Sequence, residues 1–102
     1  MNRIEAIYSF IDEKDKVVDV GCDQAKLSIM LSKRNQSSIG VDISEKAINK
    51  AKKNINNPLI DLRVSNGLDN VKVVTIDLIL VFFPVLSKDE FLKYFYRRIS
   101  YE

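Results

Sequence analysis

Apolar residues recur along this chain at two alternating periods, and their order predicts the architecture. Asn2 is a cap residue ahead of Ile4, Ile7, Tyr8 and Ile11, whose helical spacing leaves Glu5 and Asp12 outward. Residues 16–20 (KVVDV) form a short β-branched strand that runs into Gly21. Leu27, Met30 and Leu31 mark a helix over residues 24–33, and Ile39, Val41 and Ile43 a strand over 38–43. Ser44 then caps a helix that carries Ala47, Ile48, Ala51 and Ile55 on one face; Asn56, Asn57 and Pro58 end it. Ile60, Leu62 and Val64 alternate with Asp61 and Arg63 in a partly exposed strand, and Asn66-Gly67 makes a turn. Residues 76–83 (IDLILVFF) are almost continuously apolar, as in a strand covered on both faces. Ser87 and Glu90 form a capping box ahead of Phe91, Leu92, Phe95 and Tyr96, which predicts a last helix.

Helices and strands that alternate in this way predict right-handed crossovers and an α/β fold: a parallel sheet in the order 3-2-1-4 with flanking helices. No repeat, low-complexity stretch or linker divides the chain, so residues 1–102 are expected to form one domain. Of the 102 residues 46% are apolar, enough for one modest core and too few for two.

Composition narrows the chemistry. With no His, the commonest general base, the commonest zinc ligand and any Ser-His or Cys-His pair are excluded, and no metal site is expected. The one cysteine, Cys22, cannot form an internal disulfide and fits a reducing, cytoplasmic setting. The longest apolar run, residues 78–86, is far below the ~20 residues a membrane helix needs, so no membrane partner is expected. Sixteen Lys and Arg against fourteen Asp and Glu leave a net charge of +2, too small to indicate nucleic acid by itself. Lys46, Lys50, Lys52 and Lys53 read most simply as the wet face of their helix.

In parallel sheets ligands sit outside the carboxyl ends of the strands, beside the first strand. Three features gather there. Asp19-Val20-Gly21-Cys22-Asp23-Gln24-Ala25 is the turn from the first strand into the next helix. Asp42 ends the second strand 21 positions beyond Gly21, and Ser65-Asn66-Gly67 follows the third. An acid about 20 residues beyond the glycine turn can accept from both hydroxyls of a ribose. Asp23 stands where a dinucleotide fingerprint has a glycine. A carboxylate about 4 Å from a phosphate costs roughly 1 kcal/mol in bulk water and nearer 4 at an effective dielectric of 20. NAD and FAD are therefore disfavoured, though NAD is a rival ligand. A nucleoside with a cationic tail, such as S-adenosylmethionine, reverses the sign at Asp19 and Asp23. Asp23 also reads as a cap of the following helix, Asn66-Gly67 as a plain turn, and Cys22 as a small loop residue.

DVGCDQA, then GVDIS and a strand ending in VSNGLDN, resembles the class I S-adenosylmethionine-dependent methyltransferases. More narrowly, GCDQAKL and SNGL are similar to the G-S-D-H-A-Y-L and G-[DN]-G-L blocks of the bacterial tRNA (adenine(22)-N(1))-methyltransferase family. The resemblance covers roughly residues 4–81. It implies a Rossmann-like fold and binding of S-adenosylmethionine, with S-adenosylhomocysteine as product. Gly21 and Cys22 would contribute backbone, Asp19 and Asp23 would lie by the methionine end, and Asp42, with Ile43 beside it, would hold the ribose. Asn66 and Gly67 would lie by the adenine. It implies methylation at N1 of a tRNA adenine, in which a carboxylate such as Asp23 would stabilise charge developing on the ring.

Departures from that family are specific. Gln24 and Lys26 replace a His and a Tyr, and Val81-Phe82-Phe83-Pro84-Val85 replaces an A-G-M-G-G block. The family's later strands and helical extension have no counterpart in these residues. The alternative is therefore a truncated or degenerate methyltransferase fold that binds cofactor or a partner without catalysis. Nothing is expected to pair with the fourth strand, and its exposed edge, with the last helix, predicts a homo-oligomer.

Overall fold

A computed structural model describes residues 2–81 and 95–97. Helix α1 (Arg3–Ser9) starts at the expected capping box: the Asn2 side chain accepts from Glu5 N–H at 2.8 Å, and the Glu5 carboxylate accepts from Asn2 N–H. Then come β1 (Val17–Val20), α2 (Lys26–Ser32), β2 (Ser38–Asp42), α3 (Glu45–Asn54), β3 (Ile60–Val64), a 3₁₀ turn (Val73–Thr75), β4 (Leu78–Val81) and β5 (Phe95–Arg97). The sheet order is β3-β2-β1-β4-β5. The first four strands in sequence are parallel, in the expected 3-2-1-4 arrangement.

The fifth strand corrects the expectation for the end of the chain. Phe95 and Tyr96 belong to a strand, not to a helix, while Ser87, Glu90, Phe91 and Leu92 lie outside the described residues. Strand β5 runs antiparallel to β4, pairing Leu78 with Arg97, Ile79 with Tyr96 and Leu80 with Phe95. Backbone groups of β4 that would have been exposed are thereby satisfied, so β4 is an interior strand. The open β4 edge on which the expected association rests is therefore closed.

Register assigns the faces, because residues paired across parallel strands point the same way. Val17, Ser38 and Ile60 line up on one face, followed by Asp19, Gly40 and Leu62, with Leu78 and Leu80 on the far side of β1. The three described helices pack on this face. Ile7 and Ile11, with Leu27 and Leu31 of α2, cover Val17, Leu78 and Leu80, while Ile48 and Ala51 of α3 cover Leu62. The opposite face carries Val18, Ile39 and Val41, packed with Ile76 and flanked by Leu68 and Val71. Leu68 and Val71, in the stretch 68–74 whose periodicity is ambiguous, thus help to cover that second face.

One polar residue ties the helix layer together. Gln36, 5% exposed, donates through Nε2 to the carbonyls of Asp12 (2.9 Å) and Asp15 (2.8 Å) and accepts from Arg34 Nε at 2.6 Å. The Arg34 guanidinium also donates to Ile11 O and lies 4.3 Å from the centroid of the Tyr8 ring. These bonds fix the turn between α1 and β1. No described helix is long and apolar enough to cross a membrane.

Candidate functional site

The carboxyl ends of β1, β2 and β3 present the three loops that the sequence singles out. In the first, Gly21 has φ 83°, Asp23 49° and Ala25 60°. Alternate residues are left-handed, which glycine adopts freely and aspartate tolerates; alanine does so at roughly 1–2 kcal/mol. Packing holds Ala25 there. It is fully buried with Cys22 against Ile48, Ala51 and Leu62, and its N–H donates to the Cys22 carbonyl at 2.8 Å. Ala25 precedes α2 and no side chain caps that helix, so Asp23 has no capping role. Its carboxylate is exposed at the rim.

Main-chain N–H groups of Gly21 and Cys22 both donate to the Val41 carbonyl, at 2.8 and 3.0 Å. This locks the loop to β2 and makes the two residues the floor of the site rather than donors into it. Close approach depends on Gly40, a position that the sequence pattern does not mark. A Cβ there would lie 3.0 Å from Leu62 Cδ2 and 3.1 Å from Cys22 Sγ. Leu62 and Cys22 therefore occupy the space left by the absent side chain.

Asp42 is the hub. Its carboxylate accepts from Asp23 N–H at 3.1 Å through one oxygen and from Ser44 N–H at 2.9 Å through the other. Its carbonyl accepts from Ser65 N–H at 3.0 Å. One residue at the end of β2 therefore holds all three loops. The third loop is closed by Ser65, whose buried hydroxyl donates to Gly67 O at 2.8 Å and accepts from Asn70 N–H at 3.1 Å. Gly67 turns the chain at φ 59°, and Asn66 is exposed. Ile43, next to Asp42, is 70% exposed, an apolar side chain left facing solvent at the ligand end of the sheet.

Asp19 is the electrostatic anomaly. It is 6% exposed, between Gly40 and Leu80 on the helix face, and its carboxylate has no hydrogen-bond or ion-pair partner among the described residues. Burial, reinforced by the Asp42 charge, pushes its pKa up to about 7. The Cys22 thiol is pushed up to about 12, first by burial and then by the Asp19 and Asp42 carboxylates, so it stays protonated. The site is thus acidic and short of cations: Asp19, Asp23 and Asp42 make no ion pair among the described residues.

A parallel sheet in this order, with a glycine turn after β1 and an acid ending β2, defines the class I, Rossmann-like architecture of methyltransferases. A family model described as a methyltransferase domain matches residues 1–82. The chain belongs to that methyltransferase-domain family.

Solved structures agree. Sp1610 of Streptococcus pneumoniae, assigned as a tRNA (m1A22) methyltransferase, is 30% identical with a TM-score of 0.70; 79% of this chain aligns with 40% of that one. The same protein in complex with S-adenosyl-L-methionine gives 28% identity and a TM-score of 0.71 over 79% of this chain and 41% of that one. TrmK of M. capricolum, in complex with S-adenosyl-homocysteine, gives 28% and 0.70 over 79% and 40%. The chain spans about 40% of the length of these proteins.

Proposed function

We propose that this chain binds S-adenosylmethionine across the carboxyl ends of β1, β2 and β3, as the donor site for methylation of a tRNA adenine at N1. The observation that carries it is the pair formed by Asp42, which organises the three loops, and Asp19, a buried carboxylate without a partner. An ammonium group is the partner Asp19 lacks, and supplying it offsets the cost of keeping a charged carboxylate buried. S-adenosylmethionine carries such a group beside an adenosine. Asp42 retains capacity for ribose hydroxyls, since an ionised carboxylate has about four acceptor positions and two are used by backbone N–H groups. Ile43 offers the adenine an apolar surface, and Asn66 and Gly67 line the approach from β3.

The bound cofactor supplies a methyl group on a positively charged sulfur. The chain's residues supply position: loops pinned by Asp42 need little reordering on binding, so less binding energy is lost. Asp23, exposed at the rim with its backbone fixed by Asp42, is the candidate to stabilise positive charge on the methylated ring. Similarity to structures assigned as tRNA (m1A22) methyltransferases supports the acceptor. An amide-resolved NMR titration with S-adenosylmethionine tests the site: the largest shifts are expected at residues 21–25, 42–44 and 65–67. Shifts that miss all three loops contradict it. Tritiated-methyl transfer to an unmodified tRNA transcript tests the acceptor, and cofactor binding without transfer leaves the non-catalytic alternative standing.

A further inference from the structure

Positive charge in this chain is concentrated on one helix. Helix α3 holds Lys46, Lys50, Lys52 and Lys53 against Glu45 alone, a net of +3, whereas the whole chain has +2 and the remainder therefore −1. Lys46, Lys50 and Lys53 stand at i, i+4 and i+7, so they form one row along the helix. All three are exposed, and among the described residues none makes an ion pair. The row meets the site: Lys46, Lys50 and Lys53 share one open surface patch with Glu45 and Asn49, and Lys50 also lines a concavity of about 240 Å³ with Asp23, Gln24, Ala47 and Ala51.

A helix whose wet face served only solubility would be expected to mix charges, with acids four residues from the lysines. Here the row has one sign and runs towards Asp23. The placement also answers a physical problem. A site containing Asp19, Asp23 and Asp42 repels a polyanionic acceptor, and nearby cations are needed to offset that repulsion within a Debye length of about 8–10 Å.

From the Lys46–Lys50–Lys53 row and its continuity with the rim at Asp23, we infer that the exposed face of α3 is the phosphate-contacting surface that guides an RNA acceptor to the site. The inference rests on the proposed RNA acceptor and adds the surface that recognises it. Each lysine that neutralises a phosphate releases condensed counterions, and the slope of log K against log salt steepens by about 0.7–0.9 per contact.

The test measures binding of an unmodified tRNA transcript to the full chain by fluorescence anisotropy across a salt series. Wild type is compared with Lys46→Gln/Lys50→Gln/Lys53→Gln and with Lys14→Gln/Lys33→Gln/Lys72→Gln, which removes the same charge from exposed positions elsewhere. The row variant is expected to bind more weakly, with a slope shallower by about 2–3, the other variant keeping nearly the wild-type slope. Equal losses in both variants, an unchanged row variant, or no tRNA binding by wild type overturns the inference. Calorimetry of S-adenosylmethionine with Lys46→Gln/Lys53→Gln separates the two proposals: cofactor heat that persists while tRNA binding is absent or insensitive to the row defeats the RNA surface alone. No cofactor heat from wild type defeats the donor site.

Discussion

Replacing Asp19 with Asn removes the one buried carboxyl that has no partner among the described residues, and the consequence is a change in how stability depends on pH. In the folded chain the carboxyl titrates near pH 7, against an ordinary value of 3.8. Below the ordinary value both folded and unfolded forms are protonated and the group costs nothing. Between the two values the unfolded chain ionises while the folded chain holds its proton, so stability falls as pH rises, by about 1.4 kcal/mol per unit. Above pH 7 both forms are ionised and the full cost remains, roughly 4 kcal/mol for a shift of about three units. Stability contributed at low pH is therefore lost as pH rises through about 7. Asparagine does not titrate, and the difference between the two proteins cancels the other carboxylates. Urea denaturation followed by circular dichroism at about pH 5, 6, 7 and 8.5 reads the effect. Asp19→Asn is expected to gain on wild type by about 2–3 kcal/mol between the lowest and highest pH, because only the part of the window from about 5 to about 7 is sampled. Parallel curves would place the carboxyl at its ordinary pKa and refute the account of a buried, unpartnered acid.

Three further outcomes follow from the packing. Gly40→Ala puts a methyl group against Leu62 and Cys22 at 3.0–3.1 Å and should cost about 1–3 kcal/mol; Cys22→Ala in the same chain should recover part of it, as a double-mutant cycle would show. Gln36→Ala removes the two hydrogen bonds from Nε2 to the carbonyls of Asp12 and Asp15 and should destabilise by about 1–3 kcal/mol in the same denaturation assay. Native Cys22, with its thiol pushed up to about 12, should react with iodoacetamide at neutral pH on the order of 1000-fold more slowly than in urea-unfolded chain, followed by mass spectrometry.

Much of the fold is legible in the residues because hydrophobic period and end signals agree. Asn2 and Ser44 cap the helices that follow them, and Ile60 and Leu62 give the edge strand its half-buried face, while Val64 at its end is exposed. The candidate site is legible through one spacing, Gly21 to Asp42, because the ends of β1 and β2 lie side by side in a parallel sheet. What escaped has physical reasons. Strand β5 has three residues, too few to display a period, and Phe95 and Tyr96 also satisfy helical spacing with Phe91 and Leu92. The left-handed Ala25 is held by burial against α3 and β3, contacts between segments far apart in the chain. Gly40 looks like an ordinary strand residue until Leu62 and Cys22 converge on it. Asp42 is marked by its position as a candidate ribose ligand, but its bonds to Asp23 and Ser44 depend on backbone conformations that only the folded loops show.

In the proposed function, Asp42 organises a donor site for S-adenosylmethionine. Isothermal calorimetry with wild type and Asp42→Ala tests it most directly, with circular dichroism confirming that both are folded. Wild type is predicted to give saturable heat with S-adenosylmethionine at micromolar affinity, and Asp42→Ala, which frees the N–H groups of Asp23 and Ser44, to lose it. Absence of heat from folded wild type, or undiminished affinity in the variant, contradicts the claim.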